Sequence, residues 1–489
     1  MKINHRVPLL RHEDKDENEV LIAPNIFRAY DIRGIYPKDL NDEVARQIAL
    51  SFSHLYPQLK KIVIAHDPRL SSPSLAKTII ETLAKEGKEV IDIGISPDPL
   101  FYFSIFHYHF DGGIMVSGSH NPKEYNGLTL HVRKSGKKIS EDVIGKDLEK
   151  IKKLILKSEK LKIAKRQGKI INFAPSKEYV NYVTRKVSLK RPLKIIIDSG
   201  NGACGFLPEK VFKKLGCQIK TLYGKFDGNF PHHLPDPYEE KNLKDIKKEV
   251  IKRKADIGFA YDADGDRVGV IDNRGRVVSG DFCLLMLARQ ILQKKKGPVV
   301  HDMRVSKAFL DEMKKRGAKT YFSVSHHSAI INKILEKKAV FGGEVTYHFL
   351  FPLDYYLCDD ALFASLKLAE IASQYEDFAQ YVDSLPHYYV SPEVFIDTPD
   401  EEKFKIIENL QKYLREQNFD FIDVDGARIN FPNGWALSRA SNTTPIIKCR
   451  FEGETKEDLI EVEKRALEIF KKVDIPIIKK TYQELGLEK

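Results

Sequence analysis

Short runs of aliphatic, β-branched residues alternate with longer amphipathic segments through most of the chain, and this alternation constrains the fold more than any other feature. The runs Ile62–Ala65 and Ile195–Ile197 have the length and composition of buried strands, whereas the segment from Ser74 to Glu86 has helical periodicity. Strands that alternate with helices are typical of α/β units with a mainly parallel sheet. The pattern therefore predicts a chain of mixed α/β domains.

The length sets the number of domains. With 489 residues and a mass of 56.0 kDa, about three domains are expected, and two to four are reasonable. From about Tyr388 the long helices become fewer and a loop-rich centre appears. We therefore predict three mixed α/β domains and a smaller C-terminal α+β domain. The predicted boundaries are 1–21 for a loosely ordered leader, 22–172, 173–272 and 273–387 for the α/β domains, and 388–489 for the last domain.

Composition excludes several classes of protein. Hydrophobic residues make up 42% and charged residues 30%, unlike fibrous or disordered chains, and no apolar run reaches the ~20 residues that cross a bilayer. The net charge of +11 is spread along the chain, which argues against a nucleic-acid partner and suits a small, doubly charged substrate. The five cysteines form no CxxC pair, which indicates a reducing compartment and no zinc site. We expect a cytoplasmic monomer without a nucleic-acid or membrane partner.

An acidic loop directly follows a predicted buried strand. Asp262, Asp264 and Asp266 alternate in it, and a tight turn can aim all three carboxylates at one point, where they favour Mg²⁺. The loop is not an EF-hand, because Gly265 falls at its fourth position rather than its sixth and Asn273 stands where a glutamate belongs. A plain acidic turn is the alternative. A strand followed by Asp-x-Asp also matches the nucleophile motif of haloacid-dehalogenase phosphatases, although Asp266 departs from that motif.

Three further loops carry polar side chains that suit a sugar phosphate. Ser119 follows an apolar strand in a small-residue loop and could carry a phosphoryl group. Arg439 begins a run of hydroxyl and amide side chains, which is the chemistry that binds a phosphate dianion. Glu344 and Thr346 alternate after two glycines, as acceptors for neighbouring sugar hydroxyls would. Each loop taken alone is also compatible with an ordinary turn or strand.

Together these stretches resemble the α-D-phosphohexomutase superfamily, in particular its bacterial phosphomannomutase/phosphoglucomutase branch. The resemblance covers nearly the whole chain from about residue 25. The matching motifs, in chain order, are Ile26 to Gly34, Ser119 to Pro122, Asp262 to Arg267, Glu344 to His348 and Arg439 to Thr444. Five motifs in the expected order make the resemblance specific.

The resemblance implies four domains around one deep cleft. It also implies an enzyme that moves a phosphoryl group between O1 and O6 of mannose or glucose phosphate, through a phosphoserine and a hexose 1,6-bisphosphate. The implied catalytic residues are Ser119, His120, Arg33, Arg267 and His327. The implied substrate-binding residues are Tyr30, Arg304, Glu344, Thr346, His348, Arg439, Ser441, Asn442 and Thr443. The implied ligands of one Mg²⁺ per chain are a phosphoserine oxygen of Ser119, Asp262, Asp264 and Asp266.

The sequence departs from this family at several positions. Thr129 stands where the family usually has a lysine near the general base, and a threonine does not readily accept a proton. His131 would point to the same side of the strand and is the candidate substitute, while Arg304 replaces a second usual lysine. Two alternatives therefore stay open within the family. One is a phosphoglucosamine mutase, although that branch typically has glutamine at Val345, and the other is a sugar-phosphate-binding relative with reduced activity.

Overall fold

The computed structural model describes residues 24–28, 31–133, 140–156, 167–441, 445–473 and 475. The predicted leader and three predicted site residues, Tyr30, Asn442 and Thr443, lie outside the described residues. Four separate sheets, each with its own helices, follow one another along the chain. This arrangement confirms the predicted α/β architecture of four domains.

The first sheet has seven strands and four helices. Its strands are β1 (Ile32–Ile35), β2 (Lys61–His66), β3 (Glu89–Ile95), β4 (Gly112–Val116), β5 (Tyr125–Arg133), β6 (Ser140–Asp142) and β7 (Lys169–Asn172). Its helices are α1 (Asp42–Leu55), α2 (Ser72–Lys85), α3 (Asp98–His107) and α4 (Lys146–Leu156). The order is β1-β5-β4-β2-β3-β7, with β6 on β5. Because β2 is parallel to both β3 and β4, the loops that follow these three strands open at the same edge of the sheet.

The second sheet has five strands in the order β12-β11-β10-β8-β9. Its strands are β8 (Lys194–Asp198), β9 (Gln218–Leu222), β10 (Ile257–Tyr261), β11 (Val268–Asp272) and β12 (Val277–Val278), and the helices are α5 (Ser176–Thr184), α6 (Leu207–Lys214) and α7 (Lys244–Arg253). A 3₁₀ helix, Glu240–Leu243, precedes α7. Strand β10 is buried along its whole length, as expected for a central strand with both faces covered. Because β12 pairs with β11, the second sheet extends past the predicted boundary after residue 272.

The third sheet has four strands in the order β14-β13-β15-β16. Its strands are β13 (Val299–Asp302), β14 (Thr320–Ser323), β15 (Phe341–Gly343) and β16 (Phe349–Leu350), and the helices are α8 (Gly280–Lys294), α9 (Lys307–Lys315), α10 (His327–Lys337), α11 (Ala361–Ala372) and α12 (Phe378–Asp383). Side-chain N-caps fix where α8, α9, α11 and α12 begin, as at Asp360, which accepts from Phe363 N–H.

The fourth sheet has six strands that pair antiparallel throughout. Its strands are β17 (Tyr389–Val390), β18 (Val394–Asp397), β19 (Phe421–Ile422), β20 (Ala427–Phe431), β21 (Gly434–Ala440) and β22 (Ile446–Gly453), and its helices are α13 (Asp400–Glu416) and α14 (Lys456–Lys472). A capping box at Thr455 and Asp458 fixes the start of α14. This unit is the predicted α+β domain.

The apolar cores show how the four units are joined. One continuous core contains Val63 of the first sheet, Phe259 of the second and Phe341 of the third, and it also includes six of the ten residues of α3. The fourth unit has a core of its own and meets the third through a small cluster of Met303, Trp435 and Leu437. The first three units therefore share one interior. Across the described ranges, no helix is both long and apolar enough to cross a membrane.

Candidate active site

The serine loop leaves the carboxyl end of β4 and is held in an unusual backbone conformation. Ser119 is only 3% exposed and has a φ of 48°, in the left-handed region that residues with a Cβ rarely adopt. The buried guanidinium of Arg69 donates to the carbonyls of Ser119 at 2.6 Å, Asn121 at 2.7 Å and Pro122 at 2.6 Å. These three hydrogen bonds fix the loop, and Asp67 balances the charge of Arg69 at 2.8 Å.

Gly118 allows Arg69 to lie this close to the loop. A Cβ at this position would lie 2.4 Å from Arg69 Nε and 2.8 Å from the Tyr125 carbonyl, so a larger residue would push the arginine away. On the other side, Arg33 donates to the Gly118 carbonyl and to Asn121 Oδ1, both at 2.8 Å. Two arginines therefore clamp the serine loop from different elements.

His120 is the ring next to the seryl oxygen. Its Nδ1 lies 3.1 Å from Ser119 Oγ. The positive charge of Arg267, together with burial and the charge of Arg33, lowers the pKa of His120 well below its usual value. The imidazole is therefore neutral near pH 7 and can exchange a proton with the seryl oxygen.

The acidic loop follows β10 and turns tightly back towards β11. Asp262 Oδ1 accepts from the backbone N–H of Gly265 at 3.0 Å and of Arg267 at 3.1 Å. Gly265 has a φ of 77°, and a Cβ there would lie 2.5 Å from Cys204 Sγ. The turn thus requires glycine for both its conformation and its packing.

The serine loop and the acidic loop are in direct contact. Ser119 N–H donates to Ser117 Oγ at 2.8 Å, and Ser117 Oγ in turn donates to Asp264 Oδ2 at 2.7 Å. The seryl backbone is therefore linked to the acidic triplet through a single side chain. This contact joins the first and second domains at the point where the sequence motifs predicted the chemistry.

The acidic triplet has the properties of a cation site. Asp262 Oδ2, Asp264 Oδ1 and Asp266 Oδ1 are buried without a hydrogen-bond partner among the described residues. Burial, followed by the charge of Asp266, raises the pKa of Asp264 to about 6, and the same two causes raise the pKa of Asp262 well above its usual value. Carboxylates that repel one another in a buried position favour a bound cation, and Mg²⁺ suits hard oxygen ligands. The buried carboxylates therefore fit a bound Mg²⁺. Among the described residues, however, the three carboxylates with oxygens within 4.8 Å of one another are Asp98, Asp264 and Asp266, and Asp262 lies outside that group.

The predicted sugar loop places its polar side chains on one side. Thr346 Oγ1 donates to Glu344 Oε2 at 2.9 Å, and Arg304 Nη2 donates to Thr346 Oγ1 at 3.3 Å. Arg304 is held in turn by Asp302, which accepts from its Nε at 2.6 Å. Glu344 Oε1 is buried, and nothing in the described part of the chain bonds to it, so this oxygen is available to a ligand hydroxyl.

His348 connects the sugar loop to the acidic loop. Arg267 Nε donates to His348 Nε2 at 2.9 Å, and His348 Nδ1 lies 3.9 Å from Asp266 Oδ2. Although burial opposes ionisation of Asp266, the charges of His348 and Arg267 lower its pKa. Arg267 itself lies 3.8 Å from both Asp262 and Asp266. The predicted catalytic arginine and the predicted sugar-binding histidine are thus brought together.

His327 begins α10 and is held between two carboxylates. Its Nε2 lies 2.5 Å from Asp142 Oδ2, and its Nδ1 lies 3.0 Å from Asp359 Oδ2. Burial opposes the imidazolium, but the charge and hydrogen bond of Asp142, with a smaller contribution from Asp359, raise the pKa of His327 well above its usual value. His327 is therefore a cation near pH 7.

His131 lies behind the site. It is 1% exposed, its Nδ1 lies 2.7 Å from Asp142 Oδ1, and its ring packs edge-on against Phe101 and Tyr102. His131 and His327 therefore share Asp142, one on each carboxylate oxygen. This geometry gives His131 a supporting position through Asp142 rather than the exposed position of a general base.

The fourth domain supplies the predicted phosphate loop after β21. Arg439 Nη1 donates to Asp425 at 2.6 Å, whereas Arg439 Nε is buried without a partner among the residues that can be described. Ser441 is buried and its backbone N–H donates to the Ile446 carbonyl at 3.0 Å. Asp425 also accepts from Ser325 N–H in the third domain at 3.2 Å, so the partner of Arg439 contacts that domain as well.

The sequence motifs missed several residues that hold the site together. They are Asp67 and Arg69 after β2, Asp98 after β3, Asp142 at the end of β6, and Asp359 before α11. The signal for the first three was their position directly after a strand at the carboxyl edge of a parallel sheet, where α/β proteins place functional loops. Asp142 and Asp359 carry no comparable signal, because their partners are distant in sequence.

Comparisons with known proteins agree with this arrangement. Family models of phosphoglucomutase/phosphomannomutase match in order: alpha/beta/alpha domain I at residues 24–161, domain II at 177–275, domain III at 279–389 and the C-terminal domain at 393–469.

Individual relatives match over nearly their whole length. The phosphomannomutase/phosphoglucomutase of Pseudomonas syringae pv. tomato is 34% identical over 447 residues, covering 91% of this chain and 94% of that protein. A phosphoglucomutase of Neisseria gonorrhoeae is 33% identical over 449 residues, covering 91% of this chain and 96% of that protein. The crystal structure of a phosphoglucomutase/phosphomannomutase family protein from Burkholderia thailandensis superposes with a TM-score of 0.85 at 31% identity, covering 92% of this chain and 98% of that one.

Proposed function

Because the chain belongs to the phosphoglucomutase/phosphomannomutase family, we propose that it moves a phosphoryl group between O1 and O6 of mannose and/or glucose phosphate. One observation supports this proposal most directly. The link from the Ser119 backbone N–H through Ser117 Oγ to Asp264 brings the constrained serine loop against a buried acidic triplet. Phosphoryl transfer needs a positioned oxygen nucleophile and charge neutralisation in the same place.

In the proposed reaction Ser119 alternates between a free hydroxyl and a phosphoserine. When a phosphoserine donates, its P–Oγ bond breaks and a P–O bond to the sugar hydroxyl forms, which gives a hexose 1,6-bisphosphate. When the other phosphate returns, Ser119 Oγ attacks it and the sugar oxygen leaves. Neutral His120 relays the proton in both directions: when Ser119 Oγ attacks, it takes the hydroxyl proton and passes it to the leaving sugar oxygen, and when the phosphoserine donates, the proton of the sugar hydroxyl reaches the seryl oxygen by the same route.

The acidic triplet would hold one Mg²⁺ together with a phosphoserine oxygen. Asp262, Asp264 and Asp266 would supply the protein ligands, and the ion would withdraw charge from the transferring phosphoryl group. Arg267, beside Asp262 of the acidic loop, and Arg33, bonded to Gly118 of the serine loop, add permanent positive charge at the site.

The two ends of the substrate need different partners. Glu344, Thr346 and His348 would bind the sugar hydroxyls, while Arg439 and Ser441 would bind the phosphate that is not reacting, with Asn442 and Thr443 as further predicted contacts. The unpartnered, buried Nε of Arg439 supports this role, because it is a donor that a phosphate oxygen would satisfy. A clamp that reads charge rather than ring stereochemistry tolerates the bisphosphate in either orientation.

Removing the seryl oxygen tests the proposal. Ser119→Ala should abolish interconversion of glucose or mannose 1- and 6-phosphates in a coupled assay, while calorimetric binding of the substrate persists. Ser74→Ala, at a half-buried serine of α2, is the matched control and should keep full turnover. If Ser119→Ala retained wild-type turnover, the proposal would be wrong.

The same assay with glucosamine phosphate distinguishes the phosphoglucosamine mutase alternative. Binding without turnover in the wild-type enzyme would favour the relative with reduced activity that Thr129 suggests. The haloacid-dehalogenase alternative predicts a hydroxylamine-labile acyl phosphate on Asp262, and membership of the mutase family argues against it.

A cytoplasmic monomer remains part of the proposal. Its five buried cysteines are all free thiols, which supports a reducing compartment.

A further inference from the structure

Asp98 is a fourth carboxylate at the acidic triplet and comes from a different domain. It is the first residue of α3, whereas the triplet lies in the second domain. One oxygen each of Asp98, Asp264 and Asp266 lie within 4.8 Å of one another. The backbone is fixed as well, because Asp98 N–H donates to the Asp264 carbonyl at 2.7 Å.

The oxygens of this group are poorly satisfied by the protein. Asp98 Oδ1 and Asp264 Oδ1 are both buried without a hydrogen-bond partner in the described ranges. Asp264 is only 3% exposed, so its unpaired oxygen is shielded from solvent. A buried, unpartnered carboxylate oxygen is costly unless a cation balances it.

A purely structural role for Asp98 does not explain this geometry. An acidic residue in the first turn of a helix usually stabilises the helix by capping its N–H groups or through the helix dipole. Here Pro97 is the N-cap, no side chain caps α3, and Asp98 Oδ1 accepts nothing within the described chain.

We infer that Asp98 is a protein ligand of the divalent cation together with Asp264 and Asp266, so that the ion joins the first domain to the second through carboxylates. The inference rests on the proposed function for the cation site itself and goes beyond it in two respects. The cation would bind before Ser119 is phosphorylated, because three carboxylates from two domains already converge there and water can complete the coordination of Mg²⁺. Bound cation would also stabilise the contact between the two domains.

The test uses Mg²⁺ binding in a Ser119→Ala background, where no phosphoserine can contribute. Isothermal titration calorimetry should show that Asp98→Asn raises the Kd for Mg²⁺ by at least about tenfold. Asp92→Asn is the matched control, since Asp92 lies in the adjacent strand β3 and its Oδ1 accepts from Gly94 N–H at 2.9 Å. Asp264→Asn is the positive reference and should weaken binding at least as strongly.

Thermal unfolding, measured without and with Mg²⁺, gives a second readout. Without Mg²⁺, Asp98→Asn should raise Tm, because it removes one of several repelling buried carboxylates. The increase in Tm that added Mg²⁺ produces should be smaller in Asp98→Asn than in the Asp92→Asn control.

The outcomes separate the inference from the proposed function. If Asp264→Asn loses Mg²⁺ binding and Asp98→Asn behaves like Asp92→Asn, the role of Asp98 is refuted and the cation site stands. If neither Asp98→Asn nor Asp264→Asn changes the Kd, the cation site itself is refuted, and the inference with it.

Discussion

Arg69 shows how much a single residue contributes to the serine loop. Its guanidinium is fully buried and donates to three backbone carbonyls of the loop, while Asp67 supplies the compensating charge. Asp67 also accepts from Gly118 N–H at 3.1 Å and lies 3.2 Å from Ser117 Oγ. The left-handed conformation of Ser119 is therefore imposed by this pair, because nothing in the residue itself favours it.

Arg69→Met should destabilise the protein and reduce turnover. The variant leaves Asp67 buried without its partner, which costs about 3–5 kcal/mol for a broken buried ion pair. Thermal unfolding and the coupled assay measure the two effects. Arg46→Met on α1 is the control, because its pair with Glu43 is partly exposed, and it should change stability by no more than about 0.5 kcal/mol. Equal behaviour of the two variants would contradict the role given to Arg69.

Glu463 makes stability depend on pH at a position far from the active site. It is 3% exposed in α14, and burial raises its pKa to about 7. The carboxyl stays protonated in the folded protein up to a pH of about 7, whereas in the unfolded chain it ionises above a pH of about 4.5. The folded protein therefore has its full stability below a pH of about 4.5 and loses part of it as the pH rises towards 7. Glu463→Gln should therefore raise stability at pH ~8 by about 1–3 kcal/mol and have little effect at pH ~5.

Differential scanning calorimetry at the two pH values measures this effect. Glu468→Gln, on the exposed face of the same helix, is the control and should leave Tm unchanged at both. A Glu463→Gln variant with the wild-type pH dependence would show that the buried carboxyl is not the cause.

At the scale of elements, β6 is small but links two domains. Its last residue, Asp142, contacts His131 of β5 and, across the domain boundary, His327 and Ser328 at the start of α10. Although burial opposes ionisation, the two histidines lower the pKa of Asp142 well below its usual value. This carboxylate therefore fixes the orientation and charge of His327.

Asp142→Asn should weaken this link in a pH-dependent way. The raised pKa of His327 means that the pair contributes its full stability below the unfolded pKa of about 6.5, and that this contribution is lost as the pH rises through the folded value. The Tm difference between wild type and Asp142→Asn should thus be largest near pH ~6 and shrink at higher pH. Asp147→Asn, on the exposed side of α4, serves as control. A difference that grows with pH would contradict the assignment.

Sequence patterns predicted the helices, strands and motifs better than they predicted the side chains that hold the site residues in place. Strand β10 and the loop after it could be predicted because an apolar run is followed directly by alternating aspartates. The roles of Asp142 and Asp359 could not be predicted, because each depends on a histidine from another part of the chain. His131 was selected for its face of β5, but strand parity gives no information on depth, and the tertiary packing of α3 buries its ring.

At the scale of the whole molecule, the fourth domain is attached differently from the others. Arg428 crosses the boundary and donates to the carbonyls of Met303 at 2.6 Å and Val305 at 2.7 Å, while its guanidinium stacks 3.8 Å from the Trp435 ring. Arg450 adds a bond to Asp281 at 2.9 Å. Arg428 and Arg450 are therefore among the side chains that set the position of the domain that carries Arg439.

Arg428→Met should misplace the phosphate loop without disturbing the serine loop. The expected result is a rise in KM for hexose phosphate of about tenfold or more, because the distal phosphate clamp moves relative to the other three domains. Phosphorylation of Ser119 by a bisphosphate should still occur. Lys412→Ala, on the exposed face of α13, should leave KM unchanged. An Arg428→Met enzyme with normal KM would show that this contact does not set the domain position.

The central claim is that Ser119 Oγ accepts and returns a phosphoryl group beside the acidic triplet. Peptide mass spectrometry after incubation with glucose 1,6-bisphosphate and Mg²⁺ tests it most directly. We predict one phosphoryl group on Ser119, which is lost when glucose or mannose monophosphate is added in excess, because these sugars accept it from the phosphoserine. Phosphate on Asp262 or any other residue, or none on Ser119, would contradict the account.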